Sequence, residues 1–389
     1  MIWTVRIIGA LVTLGWSIAI FKGLRAWNSK KWVLGKDSPL GSKDTLVSII
    51  VPARNEEGSI DSCLSTAELQ DHPNIEIIVL DDASTDKTPV IVSRHAKQDN
   101  RVVALTGDGS SLPEGWFGKP WALERAQAHA KGKWLAFIDA DVQLAPEAIS
   151  RALAYVEAQK LDMLSGVGDL TVQTFWERVL QPAVGGLILA GNSLSQVNNP
   201  DLKDKNLANG QFIFISRDAY DAIGRHACVR KNILDDVGIA RALVAADFKY
   251  HCLYLHELFA CRMYTSLAEI WEGWTKNLFA GLRYSWGNLI MAIFFTFVFS
   301  VMGQLLLILG LFDCVSIEML LWGTTMTLSC QGLRLLMDIR RKQPIVYGLS
   351  HALANTLLIG ILLHSAVRTA RGTVRWKGRT YKPSGNMDQ

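Results

Sequence analysis

Long apolar runs at the two ends of the chain constrain its fold more than any other feature of the sequence. Residues 2–21 are nearly all apolar, with only Arg6 charged, and they are about as long as a helix that spans a bilayer. Three further apolar segments lie towards the other end, at residues 287–312, 315–333 and 344–367. Charged residues crowd the part of the chain between these regions. A chain with this layout is expected to hold a polar domain against a membrane.

Basic residues beside the first apolar run predict how the chain is oriented. Four of them follow that run directly: Lys22, Arg25, Lys30 and Lys31. No small-residue cleavage signal intervenes, so the run is expected to remain as an anchor, and the positive-inside rule places the next domain in the cytoplasm. Six scattered cysteines without a CxxC motif are typical of reduced thiols in that compartment. We therefore predict a multi-pass protein of the cytoplasmic membrane whose polar domain faces the cytoplasm.

The formal net charge of +4 and the placement of the cations indicate which binding partners, lipid or nucleic acid, the chain is suited to. The excess cations sit in short clusters beside apolar runs, whereas nucleic-acid binding requires a broad basic face. The sequence thus predicts contact with a lipid bilayer and no nucleic-acid partner.

The C-terminal segments leave the topology open. The tail after residue 367 carries a run of cations: Arg368, Arg371, Arg375, Lys377, Arg379 and Lys382. Three full crossings would place this tail outside the cell, against the positive-inside rule. Either one segment is re-entrant or interfacial, or the tail breaks the rule, and both alternatives stand at this stage.

The charged middle of the chain alternates short apolar runs with amphipathic stretches. Strands are predicted at 46–51, 76–82, 101–106 and 134–141, and helices near 57–70, 85–98, 119–131 and 145–158. Further strands are predicted at 211–216 and 248–255, with a helix beginning near Asp235. Such alternation indicates an α/β fold with a doubly wound, mainly parallel sheet.

The same patterns suggest a division of the chain. It has five predicted parts: an N-terminal transmembrane anchor (1–25), a cytoplasmic α/β domain (40–260), an interfacial segment (261–286), C-terminal transmembrane or re-entrant helices (287–370) and a basic tail (371–389). Residues 174–194 fit either an element that lies on the bilayer or a buried core helix. Trp271 and Trp274 accompany basic residues, which suits the headgroup level and a contact with a lipid acceptor.

Acidic and polar clusters follow three of the predicted strands. ARNEE comes after the first strand, DDASTD ends the second and DAD ends the fourth. Ligands of doubly wound sheets bind beyond the carboxyl ends of the strands. Because all three clusters fall at that one edge, the sequence predicts a ligand site there.

The residue types suggest how this site would act on a nucleotide diphosphate sugar. Asp139 and Asp141 form a DxD pair suited to a hydrated Mg²⁺ or Mn²⁺ ion, which would neutralise a departing diphosphate. Asp81 and Asp82 fit hydrogen bonds to a nucleobase or ribose. Glu56 opens the loop after the first strand, where helix capping is the ordinary alternative.

Two further sites have competing interpretations. Lys119 suits contact with the diphosphate as a point charge, and equally suits an ordinary surface position. Asp235 and Asp236 begin an amphipathic helix, where acids cap the helix dipole. The functional alternative makes one of these acids the general base that removes the proton of an acceptor hydroxyl.

These motifs resemble a known family. VSIIVPARNEE, IIVLDDASTD and WLAFIDADV resemble the three donor-site signatures of family 2 glycosyltransferases, which have the GT-A fold. NGQFIFISRDAYDAIGRHACVRKNILDDVGIAR, with GWFGKPWAL upstream, is similar to bacterial membrane glycosyltransferases of carotenoid (diaponeurosporenoate and myxol type) and hopanoid pathways. Ceramide glucosyltransferase is a more distant likeness. The resemblance covers roughly residues 46–286, and more loosely the tail RGTVRWKGRTY.

The resemblance implies an inverting transfer and assigns roles to individual residues. Asp82 matches the nucleoside-binding acid, Asp139 and Asp141 match the DxD with Asp141 as metal ligand, and Asp236 matches the base. One departure is that processive relatives and ceramide glucosyltransferase carry a Gln/Arg-x-x-Arg-Trp motif, of which IWEGW keeps only Trp274. This departure favours a single transfer over polymer synthesis.

The leading hypothesis is therefore an enzyme that moves one sugar from a nucleotide diphosphate sugar to the hydroxyl of a membrane lipid. A carotenoid or other polyisoprenoid is the expected acceptor. The alternatives are a ceramide or sphingoid glucosyltransferase, a processive polysaccharide synthase, and a catalytically silent nucleotide-binding membrane scaffold.

Overall fold

The fold is described from a computed structural model, which covers residues 2–27, 31–109, 111–191 and 193–381. Lys30, Lys382 and the end of the predicted basic tail lie outside the described residues. The strands are β1 Val47–Ala53, β2 Ile75–Asp81, β3 Val102–Thr106, β4 Trp134–Ile138, β5 Val142–Leu144, β6 Met163–Val167, β7 Asp169–Leu170, β8 Phe212–Ser216, β9 Tyr250–Tyr254, β10 Phe259–Cys261, β11 Val374–Trp376 and β12 Arg379–Tyr381.

The central sheet has the strand order β3-β2-β1-β4-β8-β6-β9. Strands β1 to β4 pair in parallel, as do β6 and β9, and β8 runs antiparallel between β4 and β6. Strands β1, β2 and β4 are mostly apolar and are buried on both faces, as is usual for parallel sheets covered by helices. The predicted mainly parallel α/β fold is confirmed.

Helices cover both faces of this sheet. The α-helices are α1 Ile2–Trp27, α2 Ile60–Glu68, α3 Thr88–Gln98, α4 Gly118–Gln127, α5 Ala148–Gln159, α6 Phe175–Gly191, α7 Leu194–Val197, α8 Arg217–Ala222, α9 Asp235–Ala245, α10 Leu267–Gly281, α11 Trp286–Ser300, α12 Met302–Leu311, α13 Ile317–Arg340 and α14 His351–Ala370. Short 3-10 helices span Arg225–Val229 and Ile345–Ser350. Alternate residues of β1 serve two cores: Ile49 packs with α2 and α5, and Ile50 packs with α4 and α9.

Two small sheets extend the α/β domain. Strand β10 pairs antiparallel with β5 and parallel with β7. Strands β11 and β12 form an antiparallel hairpin near the C-terminus, which the sequence patterns did not predict. This hairpin contacts the functional edge of the sheet, as described below.

Two described helical stretches, Trp3–Leu24 and Ile345–Ala370, are long and apolar enough to cross a membrane. Helices α10 and α11 are long and apolar enough to cross a membrane only when taken together, and they are bent by 119° relative to each other, which fits a broken span or a re-entrant loop. The apolar segment predicted at 287–312 is divided between α11 and the short α12. Helix α13 has the length of a span but is too polar, so α14 and the bent pair α10–α11 are the candidates for crossings among the described C-terminal helices.

The N-terminal helix is attached to the C-terminal helices rather than isolated. An ion pair joins Arg6 of α1 to Glu318 of α13. The indole nitrogen of Trp16 donates to the carbonyl oxygen of Phe299 in α11 at 2.8 Å. The two apolar ends of the sequence therefore form one helical body.

Helix α6 packs against α10 and α14. Its side chains Val179, Leu180 and Val184 are fully buried, and so is Glu177, which pairs with Arg262. Phe175 and Gly186 of the same helix are exposed, so one face of α6 is buried against the other helices and the other face is not.

Candidate active site

The three predicted acidic clusters meet at the carboxyl edge of the central sheet. Two of their loops are joined by hydrogen bonds: the amide of Asn55 donates to Ser84 Oγ at 2.8 Å, and the amide of Glu57 donates to Asp86 Oδ2 at 3.0 Å. The amide of Thr85 returns a bond to Asn55 Oδ1 at 2.9 Å. These bonds fix the loops after β1 and β2 as one unit, so the polar residues of both motifs have a structural use in addition to any role in binding.

Lys119 pairs with the first acid of the DxD and lies near the predicted base. Its ammonium lies 2.6 Å from Asp139 Oδ1. A Cβ atom added at Gly210 would lie 2.8 Å from Lys119 Nζ and 3.5 Å from Asp236 Oδ2, so Gly210 borders both groups. Burial alone would lower the pKa of Lys119, but the charges of Asp139 and Asp235 raise it overall. The lysine therefore belongs to the acidic cluster and is not a free surface cation.

Asp236 is held by the backbone at the start of α9. The amide of Gly210 donates to its Oδ2 and the amide of Val237 to its Oδ1, each at 2.8 Å. Burial, followed by the charge of Asp235, raises the pKa of Asp236 to about 6, while Lys119 opposes the shift. A carboxylate that is fixed in position and has a raised pKa has the properties of a general base.

Asp141 combines burial with an unmet hydrogen-bonding capacity. Its Oδ1 atom is buried and has no hydrogen-bond partner among the described residues. Burial, and then the charges of Asp139 and Glu56, raise the pKa of Asp141 to about 7. An unpaired buried carboxylate oxygen is costly, and a bound cation would offset that cost.

The donor set fits a divalent cation that shares its ligands with a substrate. The described residues contain no group of three or more histidine, cysteine or acidic side chains arranged to hold a metal by themselves. Mg²⁺ is commonly held by one or two carboxylates, with water and substrate phosphates completing its shell. Asp139 and Asp141 provide such a pair.

Asp82 forms ion pairs with two arginines. Arg125 Nη2 lies 2.7 Å from its Oδ1, and Arg379 Nη1, from the C-terminal hairpin, lies 2.6 Å from its Oδ2. Asp81 is also buried, and its Oδ2 accepts from the amide of Ser84 at 3.3 Å. Asp82 therefore lies at the boundary between the sheet edge and the hairpin.

The hairpin brings a second cation to the same edge. Lys377 Nζ lies 2.6 Å from Glu56 Oε1, so this acid is also paired. Sequence reasoning did not assign Arg125, Lys377 or Arg379 to the site. The available signal was the basic tail WKGRTY with its glycine turn, whose charge bears on topology and whose loose resemblance to the family carries no site role.

A cavity of about 1160 Å³ lies beside this boundary. Four cationic side chains line it, together with the carboxylate of Glu114 and the aromatic rings of Trp116 and Phe117; the cations are Arg54, Arg230, Lys231 and Arg379. Its lining suits an anionic ligand that carries a planar ring.

The two predicted interface tryptophans are engaged by other helices. The indole nitrogen of Trp271 donates to His364 Nδ1 in α14 at 2.8 Å, and that of Trp274 donates to Gln181 Oε1 in α6 at 3.1 Å. Trp274 also lies edge-on to Tyr264, 6.1 Å between ring centres. Their contact with an acceptor or with lipid headgroups stays a prediction.

Comparison of the sequence with known proteins gives a family match for part of the chain. Residues 48–224 match the model of the family described as Glycosyl transferase family 2. The chain is 25% identical over 390 residues to 4,4'-diaponeurosporenoate glycosyltransferase of Staphylococcus aureus strain MRSA252, covering 99% of both proteins. The enzyme of the same name from strain N315 is 25% identical over 393 residues, with the same coverage.

Solved structures give a more distant likeness. The mannosyltransferase PcManGT from Pyrobaculum calidifontis, in complex with GDP-Man and Mn²⁺, is 17% identical with a TM-score of 0.47. That match covers 93% of this chain and 98% of the mannosyltransferase. TarS from S. aureus is 17% identical with a TM-score of 0.40, covering 75% of this chain and 55% of TarS.

Proposed function

We propose that the protein transfers one sugar from a nucleotide diphosphate sugar to the hydroxyl of a membrane lipid, because residues 48–224 match the model of Glycosyl transferase family 2. The acceptor is a carotenoid or another polyisoprenoid, in keeping with the full-length relatives named as diaponeurosporenoate glycosyltransferases. Lys119 carries the proposal, because its ammonium pairs with the DxD acid Asp139 at 2.6 Å and its charge opposes the rise in the pKa of the base Asp236.

The proposed chemistry assigns one task to each group. Asp236 takes the proton of the acceptor hydroxyl as its oxygen attacks the anomeric carbon from the side opposite the diphosphate. The bond between that carbon and the diphosphate oxygen breaks, the nucleoside diphosphate leaves, and the configuration at the carbon inverts. Lys119 remains protonated and stabilises negative charge on the leaving group. Asp82 and the loops after β1 and β2 orient the nucleoside.

A divalent cation, Mg²⁺ or Mn²⁺, is part of this proposal. Asp141 and Asp139 would hold it, and when bound it would neutralise charge on the diphosphate. The unpaired Oδ1 of Asp141 supports this assignment.

The acceptor lipid is proposed to enter from the helical side of the site. Helix α10 follows directly after the α/β domain, and Trp274 on this helix packs against Tyr264. Burial, and then the charges of Asp141 and Asp139, raise the pKa of the Tyr264 hydroxyl, so this ring lies near the acidic cluster as well as against α10. A long apolar acceptor could remain among the helices while only its hydroxyl reaches Asp236.

A comparison of lipid extracts tests the proposed function. Cells that express the protein are expected to contain a carotenoid or polyisoprenoid with one added sugar, which mass spectrometry detects as a single hexose or deoxyhexose increment. A hexosylated sphingolipid would support the ceramide alternative, and a ladder of oligomers would support a polysaccharide synthase. If purified protein transfers no sugar from any nucleotide donor to such lipids, the enzyme proposal is wrong and the scaffold alternative gains support.

The hairpin contacts also bear on topology. Two candidate spans fit a membrane association, and we propose that the hairpin and the catalytic domain share the cytoplasmic side, because Arg379 and Lys377 pair with residues of the domain. An even number of crossings, or none, must then separate α10 from β11. Helix α14 is therefore not the sole full crossing in that part of the chain.

Protease protection in sealed spheroplasts tests this topology. A C-terminal tag is expected to resist added protease until the membrane is broken, whereas a tag before α1, on the opposite side of the first span, is expected to be digested. Digestion of the C-terminal tag in intact spheroplasts would contradict the shared side.

A further inference from the structure

We propose that the C-terminal hairpin β11–β12 is part of the donor site and that Arg379 binds the nucleoside diphosphate directly. The inference rests on the proposed function, since it assumes a nucleotide donor. Nothing in the donor-site motifs assigns this task to a segment that follows all of the apolar helices.

The turn of the hairpin points two cations towards the domain. Trp376 pairs with Arg379, so the connection consists of Lys377 and Gly378 alone. Their φ values are 46° and 76°, as in a type I′ turn, which requires positive φ at both positions. This tight turn places Lys377 and Arg379 close to each other at the end that faces the acidic loops.

Packing on the other side holds the hairpin in place. Val374 is buried. The ring of Trp376 lies edge-on to Tyr264, with centres 5.7 Å apart, and Lys276 Nζ lies 4.6 Å from the centre of the same ring. The hairpin is therefore fixed between α10 and the sheet edge and does not hang free in solvent.

Its contacts with the donor loops are numerous and polar. Arg379 pairs with Asp82, and Lys377 pairs with Glu56. Lys377 Nζ also donates to the carbonyl oxygen of Asn55 at 3.2 Å, and Arg54 Nε donates to the carbonyl oxygen of Lys377 at 3.4 Å. These contacts reach the loops after both β1 and β2, the elements proposed to orient the nucleoside.

The chemistry of the cavity distinguishes a binding role from simple attachment of the tail. Arg379 and Thr380 form part of the cavity wall together with Arg54, Arg230 and Lys231. A guanidinium carries five N–H donors, so Arg379 can keep its bond to Asp82 and still donate to a phosphate oxygen. Three arginines and a lysine converging on one cavity suit a diphosphate, and the adjacent Trp116 ring suits a nucleobase.

Titration of the full-length protein in detergent with UDP and with GDP, each in the presence of Mn²⁺, tests the assignment. Arg379→Gln is expected to weaken binding of the preferred nucleotide by about 10- to 100-fold, the value of one charged hydrogen bond. The KM for the sugar donor should rise by a similar factor, with a much smaller change in kcat. Arg379→Lys, which keeps the charge, is expected to restore part of the affinity.

Arg375→Gln provides the matched control. Arg375 lies on the other strand of the same hairpin and is exposed, so removing its charge should leave nucleotide affinity unchanged. Lys377→Gln provides a second, independent variant should Arg379→Gln fail to fold, and it too is expected to weaken nucleotide binding.

The outcomes separate this inference from the function on which it rests. Wild-type protein that binds nucleotide, with folded Arg379→Gln and Lys377→Gln variants that bind equally well, would overturn the role of the hairpin alone. If these variants had an unchanged KM for the sugar donor but a lower thermal stability, the hairpin would have only a structural role. Wild-type protein that binds neither UDP nor GDP and transfers no sugar would overturn the proposed function as well.

Discussion

Replacing Asp236 with asparagine is expected to lower the kcat of sugar transfer by about 10²- to 10⁴-fold, the usual contribution of a general base. The substitution keeps the size of the side chain, and the asparagine carbonyl can still accept the bond from the Gly210 amide. The variant should therefore fold, remain in the membrane fraction and bind nucleotide diphosphate as well as the wild type does. Sugar transfer and nucleotide binding, both measured with purified protein, check the expected loss of kcat and the expected unchanged affinity.

The pH dependence of kcat/KM provides a second test of Asp236 as the general base. Because a base acts only when deprotonated and Asp236 has a pKa of about 6, kcat/KM of the wild type, measured with saturating Mn²⁺ so that Asp141 stays deprotonated, should fall about tenfold per pH unit below pH 6. The charge of Asp235 helps to raise this pKa, while Lys119 lowers it. Asp235→Asn should therefore move the acidic limb to lower pH and keep much of the activity, which separates the two neighbouring acids.

A matched control is available on another helix. Asp218 lies in the first turn of α8 and is exposed, so Asp218→Asn removes the same charge at a similar helical position away from the site. We expect wild-type transfer from this variant. Wild-type turnover by Asp236→Asn would show that the base lies elsewhere.

The sequence predicted the frame of the site well because that frame depends on local patterns. Strands such as LVSIIV and WLAFI are continuous apolar runs, and the acids that follow them must meet at one edge if the strands are parallel. Strand β6, Met163–Val167, was missed because it is short and includes Ser165 and Gly166. A Cβ at Gly166 would lie 2.3 Å from the carbonyl oxygen of Leu253, so glycine is needed for the close approach to β9.

The site residues that the sequence did not predict depend on contacts between residues that are distant in the chain. Arg379 and Asp82 are 297 positions apart, and no local pattern relates them. The charge of the tail can be read from the sequence and bears on topology. The surface that the hairpin contacts is formed only when the chain folds. Similarly, Lys119 fitted a surface position equally well until the loop before β8 placed it beside Asp139 and Asp236.

Asp141→Asn is expected to reduce transfer by about 10³-fold or more, since a bound cation contributes several kcal/mol to stabilisation of the leaving diphosphate. The effect on the free protein should have the opposite sign. In the wild type, burial together with the charges of Asp139 and Glu56 disfavours the carboxylate form of Asp141, and its Oδ1 atom lacks a hydrogen-bond partner. Removing that charge relieves the repulsion, so the metal-free variant should be at least as stable to heat as the wild type.

Thermal unfolding with and without Mn²⁺ separates these two effects without relying on activity. A ligand that binds only the folded state raises the midpoint of unfolding, so Mn²⁺ should stabilise the wild type and the Asp218→Asn control but not Asp141→Asn. Raising the pH through 7 should strengthen the response of the wild type, because the pKa of Asp141 lies at about 7 and a metal ligand must be deprotonated. An Asp141→Asn variant that Mn²⁺ still stabilises fully, and that transfers sugar at the wild-type rate, would place the cation on other residues and leave the unpaired oxygen of Asp141 as an unexplained cost of the fold.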